Sequence, residues 1–301
     1  MPITTNVRGF TNLHNTCYMN AALQALLSLN DMNNAIMIYI TKNPNAVRNF
    51  HPLLAEYIRV IRELATKNSQ GVYTPLRFKM TLDKCSSVFR GTDQHDPSEF
   101  ISYLINAFAD EKKDKGITNI INKLCFGKYK ELVFCDNCKN TIVRSSNFLD
   151  IQLPIPDIMN PTLEDCVINF ANYESLDDNN KRNCTTCNTK VATHTKIEID
   201  LVPELVIFTL KRSLGPKKNL TPVKIYEKIR LENRDMKLIA AINHEGNSFG
   251  GHYIAYVSRV DSHGITHWFK ANDANIQEVE VKEILNNPEV CMVFYQAESR
   301  K

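Results

Sequence analysis

NLHNTCYMNAALQALLSL, residues 12–29, decides how the rest of this chain is read. Cys17 stands just before an apolar run in which Met19, Ala22, Leu23, Leu26 and Leu27 recur at helical spacing. The pattern predicts a helix with a thiol at its N-terminus. The positive end of the helix dipole favours the thiolate there, and the thiolate is the nucleophilic form of cysteine. A free cysteine in this place also fits a plain buried hydrophobe, the commoner fate of the residue. On this segment alone both readings stand.

The totals narrow the field. A chain of 301 residues suffices for one large domain or two smaller ones with a substantial core. The net charge of +3, with only short basic pieces such as Lys217–Lys218, argues against nucleic acid as a partner. No apolar run reaches membrane-spanning length, so no membrane segment is expected. Residues 1–10 (MPITTNVRGF) lack the apolar core of a signal peptide, and Pro2 excludes the N-myristoylation pattern. These features predict a cytoplasmic or nuclear protein. In that setting nine cysteines, an odd number, point to metal binding and thiol chemistry rather than disulfides.

Outward from the cysteine segment the chain first reads as helical. Pro52 opens a helix with Leu53, Leu54, Tyr57, Ile58, Ile61 and Leu64 on one face, and Pro75 opens another through Leu82. Asp96-Pro97-Ser98-Glu99 reads as a helix start, with Asp96 as cap and Glu99 as reciprocal partner of a capping box. After about residue 125 the pattern turns to strands: 128–134, the run Thr141–Leu153, then 193–201, 205–210, 236–243, 252–260, 267–271 and 290–297. A short helix is expected from Thr162 to Phe170, and 172–183 reads as a polar loop. Helices first and strands later predict an α+β fold, one body with an inserted β-rich arm.

Cys135-x-x-Cys138 and Cys184-x-x-Cys187 each present two thiols on a tight turn, and together they complete the tetrahedral shell that zinc favours. The gap of about 45 residues between the pairs is longer than the usual compact spacing, so two unrelated surface pairs remain the alternative. A closed four-thiolate shell has no open position for water, which makes such a Zn2+ structural and not catalytic. Cys85, Cys125, Cys166 and Cys291 lie singly in apolar surroundings and read as core.

A thiol nucleophile needs a base, and the base needs an orienting group. Of eight histidines, His252 follows Gly250-Gly251 and opens an apolar strand, at the end of a glycine-rich stretch (243–251) read as a mobile loop. It also fits a residue that merely caps the strand. Asn272 and Asp273 end a later strand; either could accept the imidazole N–H, and Asn-Asp is equally a β-turn pair. Asn12 could donate to an oxyanion together with the Cys17 backbone N–H, or serve as a turn asparagine.

FTNLHNTCYMNAALQAL (10–26), QHDPSEFISYLI (94–105), LPIP with TLEDCV (153–167), the second cysteine pair, PELVIFTLKR (203–212), GGHYIAYV and WFKANDANI follow one another in order. This ordered set resembles the ubiquitin-specific proteases, the papain-like family of deubiquitinating cysteine peptidases, over nearly the whole chain. The resemblance implies a single catalytic domain, 1–301, with a helical thumb (about 1–124), β-rich fingers carrying a zinc ribbon (about 125–200) and a β-rich palm (about 201–301). It implies a monomer acting on ubiquitin and ubiquitinated proteins, with hydrolysis of isopeptide, peptide or thioester bonds at the C-terminal glycine of ubiquitin. Cys17 would be nucleophile, His252 base and acid, Asn272 the third member, Asp273 its acidic neighbour and Asn12 the oxyanion donor. Asp96 and Glu99 would grip the basic tail of ubiquitin, in competition with their capping-box role. Gly250 and Gly251 would form a channel admitting only a Gly-Gly terminus, with Tyr253 beside it. The pattern departs at His14, where glycine is usual and a positive φ would strain histidine; at Ala271, usually aromatic; at Ser213, which interrupts Leu-Lys-Arg-Phe; and at Pro97. The chain reads as close to a minimal catalytic module without further targeting domains. A ubiquitin-binding scaffold without turnover, a general papain-like peptidase and an enzyme for a related modifier are the competing readings. The intact Cys17, His252 and Asn272 argue against the first, the glycine channel and metal arm against the second.

Overall fold

The computed structural model describes residues 7–66, 71–110, 112–172, 174–176, 182–184, 186–191, 193–214, 217–247, 249–261 and 263–298. Its first part is helical: α1 (Cys17–Leu26), α2 (Asn30–Lys42), α3 (Pro52–Leu64), α4 (Leu76–Cys85), α5 (Pro97–Phe108) and α6 (Lys115–Cys125). Every residue of α1 is buried, so the expected one-sided stripe is in fact a helix enclosed all round. It lies on the large sheet and is covered by α5. The polar residues Asn20 and Gln24, one turn apart on this enclosed helix, are therefore placed for specific partners rather than for water.

Beyond α6 come β1 (Gly127–Cys135), β2 (Thr141–Phe148), β3 (Asp150–Pro154), α7 (Leu163–Ala171), β4 (Glu174–Leu176), β5 (Arg182–Cys184), β6 (Thr189–Val191) and β7 (Thr193–Leu201). The run Thr141–Leu153 breaks in two. β2 joins an antiparallel arm ordered β2-β1-β7-β4, while β3 leaves it for the large sheet. The polar stretch 172–183, expected as loop, contributes β4 and part of the β5–β6 hairpin, and its residues 173 and 177–181 lie outside the described set, as do residues 1–6.

The remaining elements are β8 (Leu205–Lys211), β9 (Ser213–Leu214), β10 (Lys217–Lys218), β11 (Lys228–Leu231), β12 (Arg234–Asn247), β13 (Gly250–Val260), β14 (Thr266–Asn272), β15 (Asn275–Val279), α8 (Lys282–Leu285) and β16 (Val290–Ala297). The large sheet runs β15-β14-β13-β12-β16-β8-β3, with β11 on β12, and is antiparallel except for β3 beside β8. Both its faces are buried, which is why its strands read as apolar runs. Ala255, Val257, Met292 and Phe294 face the helices; Ile254, Tyr256, Val293 and Tyr295 face α7 and α8. A register shift between Leu238 and Ala240 lets Ile239 and Ala240 both face the helices. No helix among the described residues is long and apolar enough to cross a membrane.

Two local expectations are corrected. The capping box falls at Thr162 and Asp165, at the start of α7, and not at Asp96 and Glu99. Asp96 does cap α5, but through the Ser98 N–H, because Pro97 fixes the first turn and brings that donor to the carboxylate. The described residues of the glycine-rich stretch 243–251, which leave out Ser248, are paired strands rather than a loose loop: Asn247 opposes Gly250 and Gly246 opposes Gly251. A Cβ on Gly251 would lie 2.3 Å from Glu245 O and 2.4 Å from His244 Nε2, so this glycine admits close strand packing instead of motion.

Candidate active site

α1 begins at Cys17, and two consecutive left-handed residues, His14 (φ 65°) and Asn15 (φ 52°), turn the chain into it. His14 thus pays the positive-φ strain expected of it. Asn12 organises this turn: its Oδ1 accepts from Thr16 N at 3.1 Å and Thr16 Oγ1 at 3.3 Å. The Tyr253 backbone N–H donates to the Cys17 sulfur, so the thiol lies against the residue that follows His252 at the start of β13. Cys17 is 4% exposed, and burial pushes its thiol up, with the Asp273 charge adding to the push. The N–H groups of Tyr253, Tyr18 and Cys17 pull the other way without prevailing. Burial thus works against the thiolate that the helix N-terminus favours.

β14 and the turn after it supply the neighbours of His252. His252 Nε2 lies 2.7 Å from Asn272 Oδ1 and 3.8 Å from Asp273 Oδ2. An amide oxygen only accepts, so Nε2 is the donor in this contact, and in the neutral ring Nδ1 is then the nitrogen with the lone pair. Asn272 is thus the partner of the imidazole. The Asp273 side chain turns to two amides, accepting from Asn12 Nδ2 at its Oδ2 and from Asn20 Nδ2 at its Oδ1, both at 2.8 Å. Ala271, buried within the core, faces Ala255 across the strand pair and leaves Asn272 in place.

The turn that carries Asp273 (φ 48°) rests on an N-terminal strap. Phe10 N donates to Asp273 O at 2.7 Å, Tyr73 N to Gly9 O at 2.8 Å, and Gln24 Nε2 to Arg8 O at 2.6 Å. A Cβ on Gly9 would stand 1.9 Å from Ala274 O. Gly9, Asn20 and Gln24 escaped the sequence reading. The available signal was two amides at i and i+4 inside an otherwise apolar helix.

A groove of about 350 Å³ opens between the loop before α5 and the β12–β13 hairpin, and reaches Tyr253, whose N–H meets the thiol. Asp96, Glu99, Gly250 and Tyr253 line it, while Gly251 points its missing side chain at β12 instead. Asp96 commits Oδ1 to the Ser98 N–H, leaving Oδ2 for the groove. Tyr253 stacks on His244 at 4.5 Å, and burial with the Asp96 charge pushes its phenol far up, keeping it a neutral donor. Lys218, nearly buried, bonds to Glu289 and to the carbonyl of His244, fixing the hairpin from below.

Asp150, at the head of β3, adds hidden acidity near this groove. It accepts from Thr209 Oγ1 at 2.9 and 3.0 Å and from Gln152 Nε2 at 2.6 Å. Burial, helped by Asp96, nevertheless pushes its carboxyl up to about 6. The folded chain then holds a proton that the unfolded chain releases near 3.8, so this group costs stability as pH rises through that window. Asp150→Asn is expected to melt like the parent near pH 4 and to gain on the order of 2 kcal/mol over it by pH 7. Urea titrations at both pH values check this; a parent–variant difference independent of pH refutes it.

At the far end of the arm Cys135, Cys138, Cys184 and Cys187 bring their sulfurs within 4.8 Å of one another. The two turns are alike: Lys139 (φ 58°) and Asn188 (φ 53°) follow the second cysteines, and their N–H groups bond back to Cys135 O and Cys184 O. Sulfurs of Cys135 and Cys187 are 3.8 Å apart, those of Cys138 and Cys184 3.6 Å. A tetrahedral ion with metal–sulfur bonds of about 2.3 Å has edges of about 3.8 Å, so the four thiols can hold a metal ion.

A family model, ubiquitin carboxyl-terminal hydrolase, matches residues 8–295. The chain belongs to that family. It is similar to ubiquitin carboxyl-terminal hydrolase 2 of Bos taurus, 23% identical over 337 residues that cover 97% of this chain and 55% of that protein. Ubiquitin carboxyl-terminal hydrolase 4 of Arabidopsis thaliana is 27% identical over 318 residues, covering 90% of this chain and 85% of that one. The chain thus spans about half the length of the first relative. Among solved structures, the SAGA Ubp8/Sgf11/Sus1/Sgf73 DUB module bound to ubiquitin aldehyde matches with a TM-score of 0.78 at 21% identity, over 100% of this chain and 71% of that one. This hydrolase-family fold, α+β as expected, brings Cys17 to Tyr253 and Asp273, the chain neighbours of the paired His252 and Asn272, from positions up to 256 residues apart.

Proposed function

We propose that this chain is a thiol-dependent deubiquitinase, hydrolysing isopeptide, peptide or thioester bonds at the C-terminal glycine of ubiquitin. The observation that carries the proposal is the 2.7 Å contact of His252 Nε2 with Asn272 Oδ1, next to Tyr253, which lines the groove and whose backbone N–H meets the Cys17 sulfur. His252 Nδ1 takes the proton of Cys17, and the sulfur attacks the glycine carbonyl. The Cys17 N–H and the second N–H of Asn12 Nδ2, the one not given to Asp273, are the candidate donors to the oxyanion. The imidazolium then gives its proton to the leaving amine. Water activated by the same nitrogen cleaves the thioester and frees the tail.

The groove suits a narrow, basic, glycine-ended tail: Asp96 and Glu99 supply negative charge, and Gly250 leaves space below the hairpin. In this reading 1–124 is the thumb, 125–200 the fingers and 201–301 the palm. The arm cradles the body of ubiquitin, with a structural zinc ion held by Cys135, Cys138, Cys184 and Cys187. The partners are ubiquitin and ubiquitinated proteins, met by a monomer in the cytoplasm or nucleus. Purified protein is expected to release a fluorophore from the C-terminus of ubiquitin, and Cys17→Ala to abolish release while retaining binding. Tight binding without release by the parent would replace the enzyme with a scaffold. Equal cleavage of unrelated short peptides would replace it with a general peptidase.

A further inference from the structure

Asn20 lies three residues after Cys17 on α1 and is 2% exposed. Its Nδ2 donates to Asp273 Oδ1 at 2.8 Å and lies 3.3 Å from Thr11 O. Its Oδ1 is buried and has no hydrogen-bond partner among the described residues. An orphaned buried acceptor is destabilising. Turning the amide over would not remove the problem: the oxygen would then face the Asp273 carboxylate and the Thr11 carbonyl, two acceptors. Asp273 therefore dictates the orientation, and the chain keeps an amide with one dissatisfied end because the other end holds the Asp273 carboxylate.

We propose that Asn20 is a positioning residue that holds the Asp273 carboxylate beside the His252 ring. The inference rests on the reading of Cys17 and His252 as a nucleophile pair. Asn12 grips Oδ2 from the loop before α1, and Asn20 grips Oδ1 from the helix itself. Clamped this way, the anion stays 3.8 Å from Nε2 and stabilises the imidazolium that forms when Cys17 loses its proton. Asn272, being neutral, orients the ring but cannot supply this charge. Cys17 on α1 and His252 on β13 are titratable groups that face Asp273, and the strap offers it the Phe10 N–H, at the backbone.

The test reads Cys17 directly, through its alkylation by iodoacetamide in the whole chain without substrate, so its outcome is independent of whether ubiquitin is the substrate. Asn20→Leu removes the donor together with the orphaned oxygen. It is expected to fold, because the lost bond to Asp273 is partly offset by removal of the orphaned oxygen, yet to alkylate about tenfold more slowly at pH 7 and to lose about tenfold in kcat on a fluorogenic ubiquitin substrate, with KM unchanged. Asn20→Asp keeps the shape. At mildly acid pH the two carboxyls share a proton, one donates to the other, and the alkylation rate is near the parent's. As that proton leaves with rising pH, the rate falls away from the parent's. A folded Asn20→Leu with the parent's rate and profile, or a folded Asn20→Asp whose profile parallels the parent's, overturns the proposal. So does loss of folding in both variants at every pH, which would make Asn20 a core residue only.

Discussion

His252→Gln is expected to lower kcat on a ubiquitin substrate by about 10³- to 10⁴-fold, or roughly 4–5.5 kcal/mol of barrier, with KM nearly unchanged. The ring is not what builds the groove. Asp96, Glu99, Gly250 and Tyr253 remain in place, so binding persists while the proton has nowhere to go. The sign of the pH effect follows from the thiol. Burial raises Cys17 above the ordinary value of 9.0, so the variant holds an almost wholly neutral thiol at pH 7. Its iodoacetamide alkylation should be slow there and rise only above about pH 9, whereas the parent reacts at neutral pH through the imidazole. Undiminished neutral alkylation in the variant would mean that the helix end suffices to form the thiolate, and the paired mechanism would be wrong. Asn272→Ala should cost less than His252→Gln, because the freed Nε2–H has Asp273 Oδ2 only 3.8 Å away as a second acceptor.

What could be read from the chain beforehand follows the range of the interaction. The start of α1 was legible because a thiol beside an apolar run is a local pattern, and the strands of the large sheet were legible because burial on both faces leaves them continuously apolar. The α6 helix was missed because its stripe is built from β-branched Ile117 and Ile121, which weaken the helical signal. The choice between Asn272 and Asp273 was not local at all. It depends on Asn12 and Asn20, more than 250 residues away in sequence, fixing the carboxylate 3.8 Å from the ring nitrogen so that the amide oxygen makes the direct contact. The glycines of 243–251 misled for a related reason: composition indicates freedom, while the close approach of Gly251 to Glu245 O exists only once the strands are paired. Pro97 shows the reverse, a local residue that redirects a motif by moving the capped N–H from the third helical position to the second.

Removing metal from the four-cysteine site is expected to unfold the end of the arm and leave the body standing. The β5–β6 hairpin pairs only three residues on each side, far below what a two-stranded piece needs to persist in water. Structural zinc in small motifs contributes apparent binding energies of about 10–16 kcal/mol, enough to hold such a hairpin where packing is thin. The two hydrophobic clusters that form the body draw none of their residues from these four cysteines. Metal analysis of carefully prepared protein should find close to one zinc ion per four-thiol site. After chelation, or in Cys184→Ser, the arm should become sensitive to protease, KM for ubiquitin substrates should rise at least tenfold, and iodoacetamide should still label Cys17 at the parent rate. The split between the two readouts is the decisive result. If labelling of Cys17 collapsed along with turnover, the ion would be supporting the whole fold; if neither changed, the four sulfurs would be ordinary thiols that happen to meet.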